Sequence, residues 1–135
     1  MTTTTTRTTD AAPPRSPSPL ERRFPALAAL PRAELLLDDD IGTPVERSAA
    51  ADALWIKRDD LSAPRLGGNK VRALEYLLAG VGAEARVLTV GGLGSTHALS
   101  TVRHAQFLGA RVTVLRWRQE MNDAARAVDA RLRAE

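Results

Sequence analysis

Twice in this chain an apolar run ends in a polar or glycine turn and passes directly into helical spacing. Leu54-Trp55-Ile56-Lys57-Arg58 reads as a strand that meets the polar turn Asp59-Asp60. Leu66-Gly67-Gly68-Asn69-Lys70 then leads into Val71, Leu74, Leu77 and Leu78 at helix period, with Gly80 and Gly82 as stops. The second passage is cleaner. Val87-Leu88-Thr89-Val90 ends at Gly91-Gly92-Leu93-Gly94, and Ser95 or Thr96 can cap a helix whose apolar face is Ala98, Leu99, Val102, Ala105 and Leu108. Gly109 closes that helix, Val112-Thr113-Val114-Leu115 forms the next strand, and Met121, Ala124, Ala125, Val128 and Leu132 space a last helix. Strands alternating with helices predict an α/β chain with a partial parallel sheet and flanking helices. Only two sheet strands are clear after the glycine loop, whereas parallel sheets are covered on both faces and usually have more strands. The expectation is a piece of a larger protein, with an apolar edge and helix face left exposed.

Residues 1–19 carry seven Thr and four Pro and almost nothing apolar, which predicts a disordered tail. Residues 20–135 are then the structured unit. Its lead-in, Leu20 to Glu46, is broken by Phe24-Pro25, Leu30-Pro31 and Gly42-Thr43-Pro44, because proline disfavours helix at the residue before it. Asp38 to Asp40 suit a solvated or capping turn.

Several function classes drop out on composition. The absence of Cys removes disulfide scaffolds, thiolate catalysis and thiolate zinc sites, and two histidines seven residues apart do not suggest a shared metal. No apolar run approaches the ~18 residues that span a bilayer. The N-terminus has no apolar signal core, so a cytoplasmic protein without membrane association is expected. Net charge is only +3 and aromatics are 4% of the chain, with no basic stripe, so no nucleic-acid partner is expected.

Of 19 Lys and Arg residues, only Lys57 and Lys70 are lysines. Arginine keeps its proton in proteins, whereas a lysine at a helix start can become a neutral amine and form a Schiff base. Position alone favours an ordinary first-turn surface lysine at Lys70, and Lys57, in the strand, is such an ordinary case. Gly67-Gly68 lets backbone approach a ligand closely, or simply turns the chain. Gly91 to His97 lies between a strand and a helix, where free N–H groups can hold a phosphate or carboxylate. With Gly92 and Gly94 in place but His97 at the third glycine position, it nearly matches a dinucleotide fingerprint, and Arg116 suits a 2′-phosphate, so an NADP-binding half-domain stays open. His97, beside Ser95, can serve as acid, base or donor. His104, two turns along the same helix, is expected at the surface.

Three ordered motifs carry a more specific resemblance. Leu54 to Ser62, Gly67-Gly68-Asn69-Lys70-Val71-Arg72-Ala73-Leu74-Glu75, and Gly91-Gly92-Leu93-Gly94-Ser95-Thr96-His97-Ala98 resemble the D-cysteine desulfhydrase and 1-aminocyclopropane-1-carboxylate deaminase family. The likeness covers about residues 40 to 120 and corresponds to the N-terminal portion of these fold-type II pyridoxal-phosphate (PLP) enzymes. It implies that Lys70 carries the cofactor with Asn69 beside it, that Thr96 adds a cofactor contact, and that Ser95, Thr96 and His97 receive the substrate carboxylate. It also implies a nucleophilic or proton-carrying role for Ser95. The chain departs from the family at Thr96, where Asn is common, and at Ala73, where a basic residue is common. The family's phosphate loop and pyridine partner are expected beyond residue 135.

The function so implied is a PLP-dependent lyase or deaminase (formally a hydrolase), acting on a small amino acid and homodimeric when complete. A non-catalytic module of the same fold is the alternative from a different class.

Overall fold

The computed structural model describes residues 17–36 and 42–135, so Asp38 to Asp40 and most of the expected tail lie outside it. In chain order the elements are α1 (Pro19–Arg23), a 3-10 turn at Pro25–Ala29, β1 (Val45–Arg47), β2 (Trp55–Lys57) and a 3-10 turn at Asp59–Leu61. These are followed by α2 (Val71–Leu77), β3 (Arg86–Gly92), α3 (Thr96–Phe107), β4 (Arg111–Trp117) and α4 (Asp123–Arg133).

At the expected tail boundary of residue 19 the structure places α1, with Ser18 as its cap. Ser18 Oγ accepts from the Glu21 N–H at 3.2 Å, and Glu21 Oε2 accepts from the Ser18 N–H at 2.7 Å. This is a reciprocal cap with Pro19 at the first helical position. Ser-Pro-Leu-Glu spells it locally, but the Thr and Pro content of the preceding stretch masked it.

β3 and β4 pair in parallel, with Leu88 opposite Thr113, Val90 opposite Leu115 and Gly92 opposite Trp117. Both strands run beyond the expected four residues because the ladder continues through Gly91 and Gly92. The predicted strand around Trp55 does not join this sheet. It pairs antiparallel with β1 in a separate two-stranded ladder, Glu46 opposite Ile56. Three exposed residues, Val45-Glu46-Arg47, are too short a run to show strand alternation in sequence.

Side chains alternate across the β3–β4 ladder. One face, with Val112 and Val114, packs on Ala98, Leu99 and Val102 of α3 and Leu132 of α4. A neighbouring cluster joins Leu35, Val71, Leu74, Leu78, Ala105 and Ala110, with Val87 against it. The other sheet face leaves Leu88, Val90, Leu115 and Trp117 each more than half exposed, so the exposed apolar surface lies on the face of the sheet and not only at the edge and helix face expected.

Helix α2 corrects one core residue. Leu77, expected inside, is 71% exposed, and Glu75 is buried instead. Val71, Leu74, Glu75 and Leu78 form the i, i+3, i+4, i+7 stripe, and Leu77 falls outside it. Glu75 tolerates burial because Oε1 accepts from the N–H groups of Leu35 and Leu36 at 2.9 and 3.0 Å, with Arg32 3.3 Å from Oε2.

Candidate active site

The glycine loop is shaped by contacts that leave no room for a Cβ. An added Cβ at Gly91 would lie 2.7 Å from both Cβ and Oγ of Ser95, and one at Gly94 (φ +79°) would press on Ala125 of α4 at 2.6–2.8 Å. Gln119 reaches over Gly92 and donates to the Leu93 carbonyl. The loop delivers the chain to α3 with Ser95 as its cap, Oγ accepting from the Ala98 N–H at 3.2 Å. That bond uses the third N–H of the helix. The N–H groups of Thr96 and His97 precede the first intrahelical partner and remain available, and Ser95 Oγ still has a proton to donate. Thr96 and His97 are exposed, and His97 Nε2 lies 3.5 Å from Thr89 Oγ1. Such a helix start can receive an anion.

The lysine loop is held from several sides. Ser62 Oγ accepts from the Gly68 N–H at 3.1 Å. A Cβ at Gly67 would overlap the Asp60 carbonyl, so the open choice at Gly67 resolves to close approach to the chain's own backbone. Gly68 has φ +132°, a conformation that side chains rarely adopt. Asn69 is exposed, and Lys70, half-buried, occupies the cap position of α2. Among the described residues Lys70 Nζ has no hydrogen bond or ion pair. Lys57 differs: its ammonium donates to Thr43 and lies 3.7 Å from Asp59.

No hydrogen bond or ion pair links Asn69 or Lys70 with Ser95, Thr96 or His97 among the described residues. The connection runs through α3 itself, and its agent is the histidine expected at the surface. His104 is 1% exposed, with Nε2 3.0 Å from the Leu66 carbonyl. Burial pushes its pKa below the usual 6.5, the carbonyl bond opposes that shift, and the Arg65 charge adds to it. A signal existed in sequence: from Thr96 to Phe107 the helix carries one full charge, Arg103, which suits a helix enclosed on more than one side.

A cavity of about 350 Å³ lies elsewhere, lined by Arg23, Arg32, Lys57, Arg72, Glu75 and Tyr76 among others, and includes none of the candidate residues. Arg116, the candidate NADP contact, is paired with Asp129 at 2.7 Å. Among the described residues no cluster of three or more His, Asp or Glu could hold a metal, and no helix is long and apolar enough to cross a membrane.

A parallel β3–β4 unit, a capped and exposed helix start and a lysine on a braced loop define an α/β chain. The solved structure of an ACC deaminase homologue shares this fold, with TM-score 0.54 and 29% identity over 79% of this chain and 40% of that one. By sequence, the chain is homologous to proteins named 1-aminocyclopropane-1-carboxylate deaminase and D-cysteine desulfhydrase. It is 42% identical over 108 residues to a putative 1-aminocyclopropane-1-carboxylate deaminase of Pyrococcus horikoshii, covering 73% of this chain and 32% of that protein. It is 39% identical over 97 residues to D-cysteine desulfhydrase of Yersinia enterocolitica (66% and 28%), and 44% identical over 97 residues to nocardicin C-9′ epimerase of Nocardia uniformis (70% and 29%). The chain thus spans about a third of the length of these relatives. No family model matches.

Proposed function

We propose that this chain supplies the lysine loop and the carboxylate-binding helix start of a PLP-dependent enzyme that acts on a small amino acid, as a deaminase or desulfhydrase. The observation that carries the reading is Lys70. One of only two lysines, it sits on a braced loop with its amine disengaged, while Lys57 is tied to Thr43 and Asp59. The residues present fit the cofactor's needs at that point: a lysine can give up its proton and bond to an aldehyde, which arginine cannot. When bound, the cofactor withdraws electrons from the α-carbon of the amino acid.

Lys70 Nζ would hold the cofactor, and as an amine it could carry a proton to and from the substrate. Asn69 precedes it on the exposed side of the loop, where its amide can orient the ring, and Thr96 offers a second polar contact. The Thr96 and His97 N–H groups bind the substrate carboxylate, and the Ser95 O–H donates to it or moves a proton. Gly91 brings Ser95 close under the loop. A relative with another named activity, the nocardicin C-9′ epimerase, is 44% identical over 97 residues, so likeness in this segment does not by itself fix the reaction.

Incubating the full-length protein with PLP, reducing with borohydride and mapping peptides tests the reading. Label is expected on Lys70 in preference to Lys57, and Lys70→Arg should abolish it with the fold intact. Equal labelling of the two lysines, or full activity in Lys70→Arg, would refute the assignment.

A further inference from the structure

We infer that His104 is a positioning residue: from the middle of α3 it holds the Leu66 carbonyl and thereby fixes the loop that presents Lys70. The functional weight of this inference rests on the reading of Lys70 above, while the mechanical part stands on geometry alone.

A carbonyl can only accept, so the 3.0 Å contact requires that Nε2 carry the proton. Nδ1 is then the unprotonated nitrogen, and it is buried without a hydrogen-bond partner. For packing alone an apolar side chain of similar size would serve better, because it would leave no orphaned nitrogen. What histidine adds is the donor at Leu66, immediately before Gly67-Gly68-Asn69-Lys70. The grip is shared by its neighbours. Arg103 Nη1 donates to the Arg65 carbonyl at 3.3 Å, and the Arg65 guanidinium stacks 3.3 Å from the centre of the Phe107 ring. One turn of α3 therefore holds two successive residues at the loop's entrance, and Ser62 holds Gly68 beyond it. The same helix begins at Ser95. A single rigid element thus spaces the lysine loop from the helix start that receives the carboxylate, and His104 is its buried attachment point.

Two substitutions separate this role from simple packing. His104→Gln places an amide N–H where Nε2 lies, whereas His104→Asn keeps the polarity but falls short of Leu66. In the full-length protein, hydrogen exchange at the Gly68 and Val71 amides should speed up about five- to tenfold in His104→Asn, the scale of one lost hydrogen bond. The Val112 and Val114 amides of β4 should be unchanged, and His104→Gln should stay close to the wild type throughout. The borohydride-fixed PLP ratio of Lys70 to Lys57 should fall in Asn and be kept in Gln. Equal exchange in the two variants, or acceleration spread evenly over loop and β4, would reduce His104 to a core residue and overturn the inference. If the wild type carries no label at Lys70, the functional reading fails, and the exchange measurement still decides the mechanical role.

Discussion

Gly91→Ala tests the packing under the loop in a way that can be worked through from distances. The new methyl would meet Ser95 Cβ and Oγ at 2.7 Å, well inside contact distance, and next Ala98 Cβ at an ordinary 3.6 Å. Forcing extra volume into such a site costs about 1–3 kcal/mol. Both of the closest atoms belong to one side chain. Ser95→Gly removes them, and at a helix cap that change alone costs only about a few tenths of a kcal/mol. In the double variant the methyl finds space, and replacing glycine by alanine at a permitted backbone angle contributes about 0.4–1 kcal/mol in its favour through the unfolded chain. The double variant should therefore be more stable than Gly91→Ala by about 1–3 kcal/mol less the few tenths lost at the cap, and the 1–3 kcal/mol is a coupling of the size expected for residues in contact. Urea unfolding followed by far-UV circular dichroism, on all four proteins, gives the cycle. Additivity within about 0.5 kcal/mol would show that Ser95 is not what excludes a side chain at Gly91, and the account of the loop would fail.

Ser95→Ala should lower turnover in the full-length protein more than it weakens PLP binding, because on the proposed reading the Ser95 O–H meets the substrate and not the cofactor. Paired kinetics and cofactor titration check this, and unchanged turnover would remove Ser95 from the chemistry. His104 makes stability depend on pH: its folded pKa lies below 6.5, so the unfolded chain takes up the proton first. Its contribution is complete above pH 6.5 and declines as pH falls through that value towards the folded pKa, with Arg65 and Arg103 the cationic neighbours. Urea midpoints between pH 7.5 and 5 should therefore drop more steeply in the wild type than in His104→Gln, in about the range where an unperturbed histidine titrates. The uncovered face formed by Leu88, Val90, Leu115 and Trp117 predicts concentration-dependent self-association, which sedimentation velocity will detect. Leu88→Gln combined with Trp117→Gln should weaken it, and equal association in that variant would clear the sheet face.

What could be read from sequence here was local. Ser95 lies three residues from the amide it caps, Gly109 ends α3 at φ +88°, and the β3 and β4 runs show in four residues each. Such features depend on neighbours within one turn or one strand, so residue order contains the whole interaction. Lys70 and the Ser95–His97 stretch were visible for the same reason, as motifs on short contiguous segments. The residues that were misplaced or left open depend on partners beyond a single turn or strand. Glu75 is buried because the N–H groups of Leu35 and Leu36, about 40 positions earlier, need an acceptor, and Gly67 is required by the carbonyl of Asp60. The strand at Trp55 found its partner at Arg47 across a turn instead of joining the parallel sheet. His104 is the clearest case. Nothing within a turn of it calls for a donor, and only folding brings the Leu66 carbonyl, 38 residues away, to its ring. A buried polar group takes its role from whichever backbone group arrives unsatisfied beside it, and that arrival is a property of the tertiary structure.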